Sequence, residues 1–243
     1  MSDVLGFDAW SANARWWQDE FTQGADPEYV EQIIPLARDA LAGFDRVLDV
    51  GAGEGQIARA LADQGTTVVG VDPVPEQIAA ARARGGGPGY ALGTAHRLPI
   101  ATAACDGALA CLVFEHLGDH EGALDEIERI LRPGGRFVLF LNHPLLQTPG
   151  SGWVIDYVID EQYWRVGPYL RVDVSREELA PGVVLPFVHR PLSDYVNALI
   201  DRGLDIVEMI EPAPPAGFLA RAGEYAAAHE IPRLCVLICR KRP

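Results

Sequence analysis

The chain lacks any uncharged apolar run approaching the roughly 18–20 residues that a membrane span requires, so no membrane partner is expected. Its opening residues, MSDVLGFDAW, lack the basic start and apolar stretch of a signal peptide, which points to a cytoplasmic protein. Basic residues are scarce: 20 Lys and Arg stand against 34 Asp and Glu, for a net charge of -14. A nucleic-acid backbone needs clustered cations, so nucleic acid is not expected as a partner. Cysteine is scarce too. Cys105, Cys111, Cys235 and Cys239 form no C-x-x-C pair and have no histidine at ligand spacing, so no metal site is expected. They read as four reduced core thiols.

What remains is a chain of 243 residues, 49% apolar, enough for one large domain carrying an elaborated cap. Residues 1–42 read as an N-terminal helical cap, with one helix around Trp10 to Phe21 and a second from DPEY, where Asp26 caps and Pro27 fits the first turn. Strand and helix then alternate. RVLDV (46–50) is a strand, Gln56 to Gln64 a helix closed by Gly65, TTVVGVD (66–72) a strand, and 75–84 a helix stopped at GGGPG. GYAL (89–92) and DGALACLVF (106–114) are strands, the latter a continuous apolar run of the kind covered on both faces. Helix 120–131 places Leu124, Ile127, Ile130 and Leu131 on one stripe, and Pro133-Gly134-Gly135 breaks it before another strand. Residues 142–190 interrupt the rhythm as an inserted cap. A helix over 191–203 and two strands, LDIVEMI and RLCVLICRK, close the chain, while 211–231 read as a link and short helix with no chemistry assigned. Five strand–helix alternations make the fold class α/β: a Rossmann-like, doubly wound sheet, with 43–141 as its cofactor-binding core and 191–243 as its C-terminal helix and strand pair.

Ligands of such sheets bind at the carboxyl ends of the strands where strand order reverses. The turn Gly51-Ala52-Gly53-Glu54-Gly55 stands there with the spacing G-x-G-x-G. A dinucleotide fingerprint would need glycine at position 56, which is Gln56. Asp49 and Glu54 are a poor choice beside pyrophosphate and a good one beside a ligand carrying an ammonium and a sulfonium. Asp72 ends the second strand 21 residues beyond Gly51, placed to accept ribose hydroxyls of either cofactor class.

VLDVGAGEGQIARAL, VVGVDPVPEQIAAAR, GTAHRLPIATAACDGALACLVFEHL and EIERILRPGGRFVL occur in order at the intervals of the class I S-adenosylmethionine-dependent methyltransferases. Over roughly residues 44–141 the chain resembles that family, and within it the bacterial small-molecule enzymes with a ubiquinone- or menaquinone-methylase-like core. The resemblance implies seven strands with the last inserted antiparallel, and S-adenosyl-L-methionine as cofactor. It implies that Gly51, Ala52, Gly53 and Gly55 lie against the methionine part, with Asp49 near the ammonium. Asp72 would grip the ribose, Pro73 pack on the adenine, Thr94 and Ala95 edge it, and Cys111 line the methionine side. Where the family has an acid to accept from the adenine amino group this chain has Thr94, whose hydroxyl still accepts one bond.

Methyl transfer to oxygen or an acidic carbon needs a base. Three histidines fall where the acceptor should be: His143 in LNHPLL, the first choice because Pro144 holds it at a strand end; His189 in PFVHRPLS, a base or, with Arg190, a clamp; and His116 in FEHLGD. His96, His120 and His229 read as peripheral. Trp153, Tyr163 and Trp164 of the inserted cap, and Trp17 of the N-terminal helix, are candidates to roof an apolar or aromatic acceptor, and Arg165 and Arg171 leave room for an acidic one. The expected partner is therefore a small-molecule acceptor, with oligomeric state unread. An amino-directed nucleic-acid enzyme would carry Asn/Asp-Pro-Pro-aromatic where FEHL stands. A nicotinamide dehydrogenase would have to tolerate Gln56 and Asp49. A relative that keeps the cofactor without transferring its methyl stays open.

Overall fold

Consecutive residues of the central strands go to opposite cores, which is why those strands read as unbroken apolar runs. In the computed structural model, which describes residues 6–221 and 229–243, Phe137, Leu139 and Leu141 point to one hydrophobic cluster and Val138 and Phe140 to the other. All five are buried, so the strand is sandwiched between two helical layers.

The N-terminal segment forms α1 (Phe7–Ala12) and α2 (Ala14–Phe21). The sequence suggests one helix here. Asn13 divides it, its side-chain amide donating back to the Ala9 carbonyl at 2.8 Å. The second helix begins as a π-helical turn over Tyr29–Ile33 and continues as α3 (Ile34–Ala40). The alternation continues as β1 (Arg46–Val50), α4 (Gln56–Ala62), β2 (Thr67–Asp72), α5 (Pro75–Arg84), β3 (Gly89–Leu92), β4 (Cys105–Cys111), α6 (His120–Ile130) and β5 (Leu131–Asn142). Asp119 caps α6 by accepting the Gly122 N–H. Between β4 and β5 the register advances from Cys105 opposite Leu131 to Gly107 opposite Arg136, so Arg132 to Gly135 bulge out of the ladder where the sequence reads a break.

The sheet has seven strands in the order β10-β11-β5-β4-β1-β2-β3 once β10 (Leu204–Ile210) and β11 (Leu234–Lys241) are added. β11 is antiparallel to both neighbours and the other pairs are parallel, so the Rossmann-like sheet with its last strand inverted is present. One face is covered by α3 and α4 through Ile33, Ala37, Leu41, Ile57 and Leu61. The opposite face is covered by α6 and α7 (Leu192–Asp201) through Leu124, Ile127, Ile130, Tyr195 and Leu199. Strand order reverses between β1 and β4.

The segment 142–190 carries strands of its own. It forms two antiparallel ribbons, β6 (Gly152–Asp156) with β7 (Glu161–Arg165), and β8 (Asp173–Ala180) with β9 (Val183–His189). In 211–231 the helix α8 (Ala216–Arg221) is present, and the Ala-rich remainder over 222–228 lies outside the described residues. Among the described residues no helix is long and apolar enough to cross a membrane.

Candidate active site

β1 ends at Val50 and the chain must turn at once into α4. Gly51 and Ala52 both donate to the Val71 carbonyl, which closes the turn onto β2. Gly51, Gly53 and Gly55 adopt left-handed backbone, at φ +71°, +53° and +84°. At Gly51 a Cβ would stand 2.3 Å from Val113, and at Gly55 2.2 Å from the Tyr90 hydroxyl. At Gly53 a Cβ would meet nothing within 4 Å, because that position faces open space.

That space is a cavity, partly open to solvent, at the point where strand order reverses. Asp49, Gly51, Ala52 and Gly53 line it from β1 and its turn, Asp72, Pro73, Val74 and Gln77 from β2 and α5, and Gly93 and Ala95 from beyond β3. Cys111, Leu112, Val113, His116 and Leu117 line it from the end of β4, and Trp10, Trp17, Thr22 and Tyr29 from the N-terminal segment. The strand expected over 106–114 stops at Cys111 because Leu112 turns left-handed, at φ +56°, and a short 3-10 turn over Phe114–His116 comes next. A leucine in that conformation is strained, and here the strain delivers His116 to the cavity.

Three acids border the cavity, in three different states. Glu54 is paired through one oxygen: Arg59 bonds Oε2 at 2.6 Å and Arg84 closes on the same atom, while Oε1 is buried with no hydrogen-bond partner. Asp72 accepts the Gly53 N–H with one oxygen and the Val74 N–H with the other, each oxygen keeping a free lone pair. Burial raises it to about 6 against those two bonds. Asp49 is raised to about 7, by burial first and by the Asp72 charge second. Its Oδ2 is buried with no hydrogen-bond partner. A buried carboxylate oxygen pushed toward neutrality for want of a partner suits a ligand ammonium. A carboxylate with two lone pairs still open suits vicinal hydroxyls. The open face at Gly53 suits close approach of a ligand, and these residues therefore fit S-adenosylmethionine.

Several sequence candidates sit elsewhere. Gly55 packs behind the turn, and Thr94 bridges Arg97 outside the lining. Trp153 and Trp164 face each other across β6 and β7, with ring centroids 5.4 Å apart, and Tyr163 on the same ribbon is about half exposed. None of the three lines the cavity, because the insertion folds on itself as ribbons. Arg190 is buried and holds backbone carbonyls. Of the histidines, His143 has both ring nitrogens engaged: Nε2 donates to Glu211 at 2.7 Å and Nδ1 accepts from the Leu145 N–H at 3.1 Å. His189 donates to the Tyr169 carbonyl. Neither lines the cavity.

His116 does. Its Nδ1 lies 3.0 Å from the Pro186 carbonyl, which can only accept, so Nδ1 carries the proton and Nε2 keeps its lone pair. Burial lowers its pKa to about 4, so the ring is neutral at physiological pH. Trp10, Tyr29, Thr22 and Gln77 are wall residues that the sequence motifs do not mark. Trp10 stands edge-on to His116 at 4.7 Å and to Trp17 at 5.4 Å. Its helix is tied down by Ser11 on Glu76, and the next one by Gln18 on Gln77. These are long-range contacts with no local pattern to announce them.

The fold and the site together define a class. A family model described as a methyltransferase domain matches residues 48–139. The chain is 36% identical over 180 residues to an uncharacterized methyltransferase of Mycobacterium tuberculosis, an alignment covering 73% of this chain and 66% of that protein. It is 35% identical over 159 residues to a ubiquinone biosynthesis O-methyltransferase of Xylella fastidiosa, covering 60% of this chain and 63% of the relative. The chain thus spans just under two thirds of these relatives' length. A crystal structure of an S-adenosylmethionine-dependent methyltransferase from Mesorhizobium loti superposes with a TM-score of 0.72 at 27% identity, covering 85% of this chain and 96% of that one. The chain belongs to the class I S-adenosylmethionine-dependent methyltransferases, and its cofactor is S-adenosylmethionine.

Proposed function

We propose that the protein transfers a methyl group to a small-molecule acceptor, a hydroxyl or acidic carbon of an apolar or aromatic metabolite, with His116 as general base. The observation that carries this reading is the state of His116: in the cavity wall, neutral, with its proton committed to Pro186 on Nδ1 and its lone pair on Nε2. The likeness to a ubiquinone biosynthesis O-methyltransferase supports a hydroxyl as the receiving group.

Asp49 would hold the cofactor's ammonium, Asp72 its ribose hydroxyls, and Pro73, Val74 and Ala95 would pack about its adenine. The bound cofactor supplies an electrophilic methyl carbon on a sulfonium. His116 Nε2 takes the acceptor's proton as the nucleophile forms, and the Pro186 carbonyl stabilises the resulting imidazolium through Nδ1–H. Trp10, Trp17, Leu112, Val113 and Leu117 exclude water from the acceptor. Much of the acceleration in such a displacement comes from this positioning in a dry pocket. Among the described residues no Lys or Arg lines the cavity, so a carboxylate on the acceptor would find no counter-charge from them. Arg165 ends β7 and Arg171 stands in the loop before β8, and neither lines the cavity.

The test is turnover with a panel of phenolic acceptors, monitoring S-adenosylhomocysteine release against methylated product. His116→Asn is expected to lower kcat by about 10²–10⁴-fold while cofactor affinity changes little. Unchanged kcat would refute the base. Product formed without S-adenosylhomocysteine would replace transfer with a rearrangement that uses the cofactor as a fixed charge.

A further inference from the structure

Arg190 is buried, at 4% exposure, immediately after β9. Its guanidinium donates to the carbonyls of Phe114 at 3.2 Å, Leu117 at 2.5 Å and Gly118 at 2.9 Å, and lies over the Tyr195 ring at 6.0 Å. Among the described residues it is held by these neutral groups alone. A buried cation without a carboxylate is costly, and the cost is met only by satisfying several acceptors at once. The acceptors here are the two ends of one short turn, the 3-10 turn that carries His116 and the loop that leaves it.

The same strand end serves His116 directly. Pro186, four residues before Arg190, offers its carbonyl to Nδ1. Phe187 stands edge-on to the ring, with centroids 4.5 Å apart, as Trp10 does at 4.7 Å. A turn that begins on a left-handed leucine and ends in an extended Leu117 has little hydrogen bonding of its own: His116 N–H to Val113 and Leu117 N–H to Phe114. Its place is set from outside. Asn142 at the end of β5 donates its N–H at 3.2 Å and its side-chain amide at 2.8 Å to Glu115 in the middle of the turn. The terminus of β9 holds the two ends and the His116 ring.

We propose that Arg190 is a positioning residue for His116, clamping both ends of its turn so that the ring is held against the Pro186 carbonyl and keeps its proton on Nδ1. A planar guanidinium can bridge carbonyls on both sides of the turn, which a lysine ammonium, as a single point, cannot do equally well. The inference rests on the reading of His116 as the base for its catalytic meaning, but its physical content is a tautomer, observable without any acceptor.

The experiment is long-range proton–nitrogen NMR of the full chain saturated with S-adenosylhomocysteine, with His116 assigned from His116→Asn. The wild type is expected to show the Nδ1–H tautomer and no titration of His116 between pH 8 and 5. Arg190→Gln should mix the two tautomers and bring a titration into that window, with S-adenosylhomocysteine affinity within about threefold of wild type. Arg190→Lys should fall between the two. The wild-type tautomer and a flat titration in Arg190→Gln would overturn the proposal. If Arg190→Gln does not fold, a wild-type His116 spectrum in Arg190→Lys overturns it. Normal turnover in His116→Asn would instead remove the base reading and leave the tautomer result standing.

Discussion

The Asp72 carboxylate accepts the backbone N–H of Gly53 at 2.9 Å, joining the end of β2 to the glycine turn after β1. The residue proposed to hold the ribose is therefore also the residue that shapes the turn beside it. Asp72→Ala should lose both roles, leaving two backbone donors at Gly53 and Val74 unsatisfied at about 1–3 kcal/mol each when buried. Calorimetric titration should show micromolar binding of S-adenosylmethionine and S-adenosylhomocysteine by the wild type, none by the variant, and no NADH binding by either. Binding of NADH alone would mean the turn holds a pyrophosphate.

With Asp49 as the proposed partner of the ammonium, cofactor affinity should depend on pH. An ammonium binds the ionised carboxylate, and burial with the Asp72 charge raises Asp49 to about 7. Affinity for S-adenosylmethionine should weaken as pH falls below about 7, by at most about tenfold per unit for one proton, and level off above it. Asp49→Asn should bind weakly at every pH. A wild-type affinity constant from pH 8 to 5.5 would contradict the assignment.

The same groups set a stability profile in the ligand-free protein. An acid raised from 3.8 to about 6 or 7 binds its proton more tightly when folded, so Asp49 and Asp72 make folding less favourable as pH rises from about 4 to 7. His116, lowered to about 4, acts in the opposite sense and loses stability as pH falls below 6.5. Asp49→Asn should therefore raise Tm at pH 8, by about 2–4 °C for each 1 kcal/mol relieved in a domain of this size, and by less at pH 5. The gain would come with lost cofactor binding.

Two glycines two residues apart should respond differently to alanine. Gly51→Ala meets Val113 at 2.3 Å on a left-handed backbone and should unfold the turn, lowering Tm and binding together. Gly53→Ala meets no protein atom and costs only the left-handed strain, about 1–2 kcal/mol. It should fold and yet lose cofactor affinity, because its methyl group enters the cavity. Full affinity in Gly53→Ala would show that the ligand does not approach there.

Acceptor selection is testable with probes of one shape and different charge. With S-adenosylhomocysteine bound, 2-naphthol should bind at least about tenfold more tightly than 2-naphthoate, since among the described residues the wall offers aromatic rings and no Lys or Arg. Trp10→Ala should weaken naphthol and leave S-adenosylhomocysteine unaffected. Tighter binding of the naphthoate would place a cation in the acceptor's path.

The glycine turn, Asp49 and Asp72 were legible because each is a short signal tied to a strand end: an apolar run names the strand, and the residues just past its end must lie at the rim. His116, just past the end of β4, carries the same kind of local mark. The ranking of the histidines was not legible. His143 and His116 both come just after a strand in the sequence, but His143 is consumed by Glu211, 68 residues away, and His116 is freed on one nitrogen by Pro186, 70 residues away. Nor do Trp153, Tyr163 and Trp164 announce that they pair within a ribbon, since aromatic density marks a core or a pocket equally well.

The order of apolar runs and turns, by itself, determined a parallel sheet covered on both faces, because a strand buried on both sides and a helix buried on one leave different periods in the chain. Local chemistry determined which turn stands at the rim and what charge it presents. Only the tertiary structure decided which polar groups are spent and which are open. Glu54 is neutralised by two arginines, Asp49 keeps an unpartnered oxygen, and His116 is left with a free lone pair. The state of a buried polar group depends on partners far away in the chain, and no local pattern encodes them.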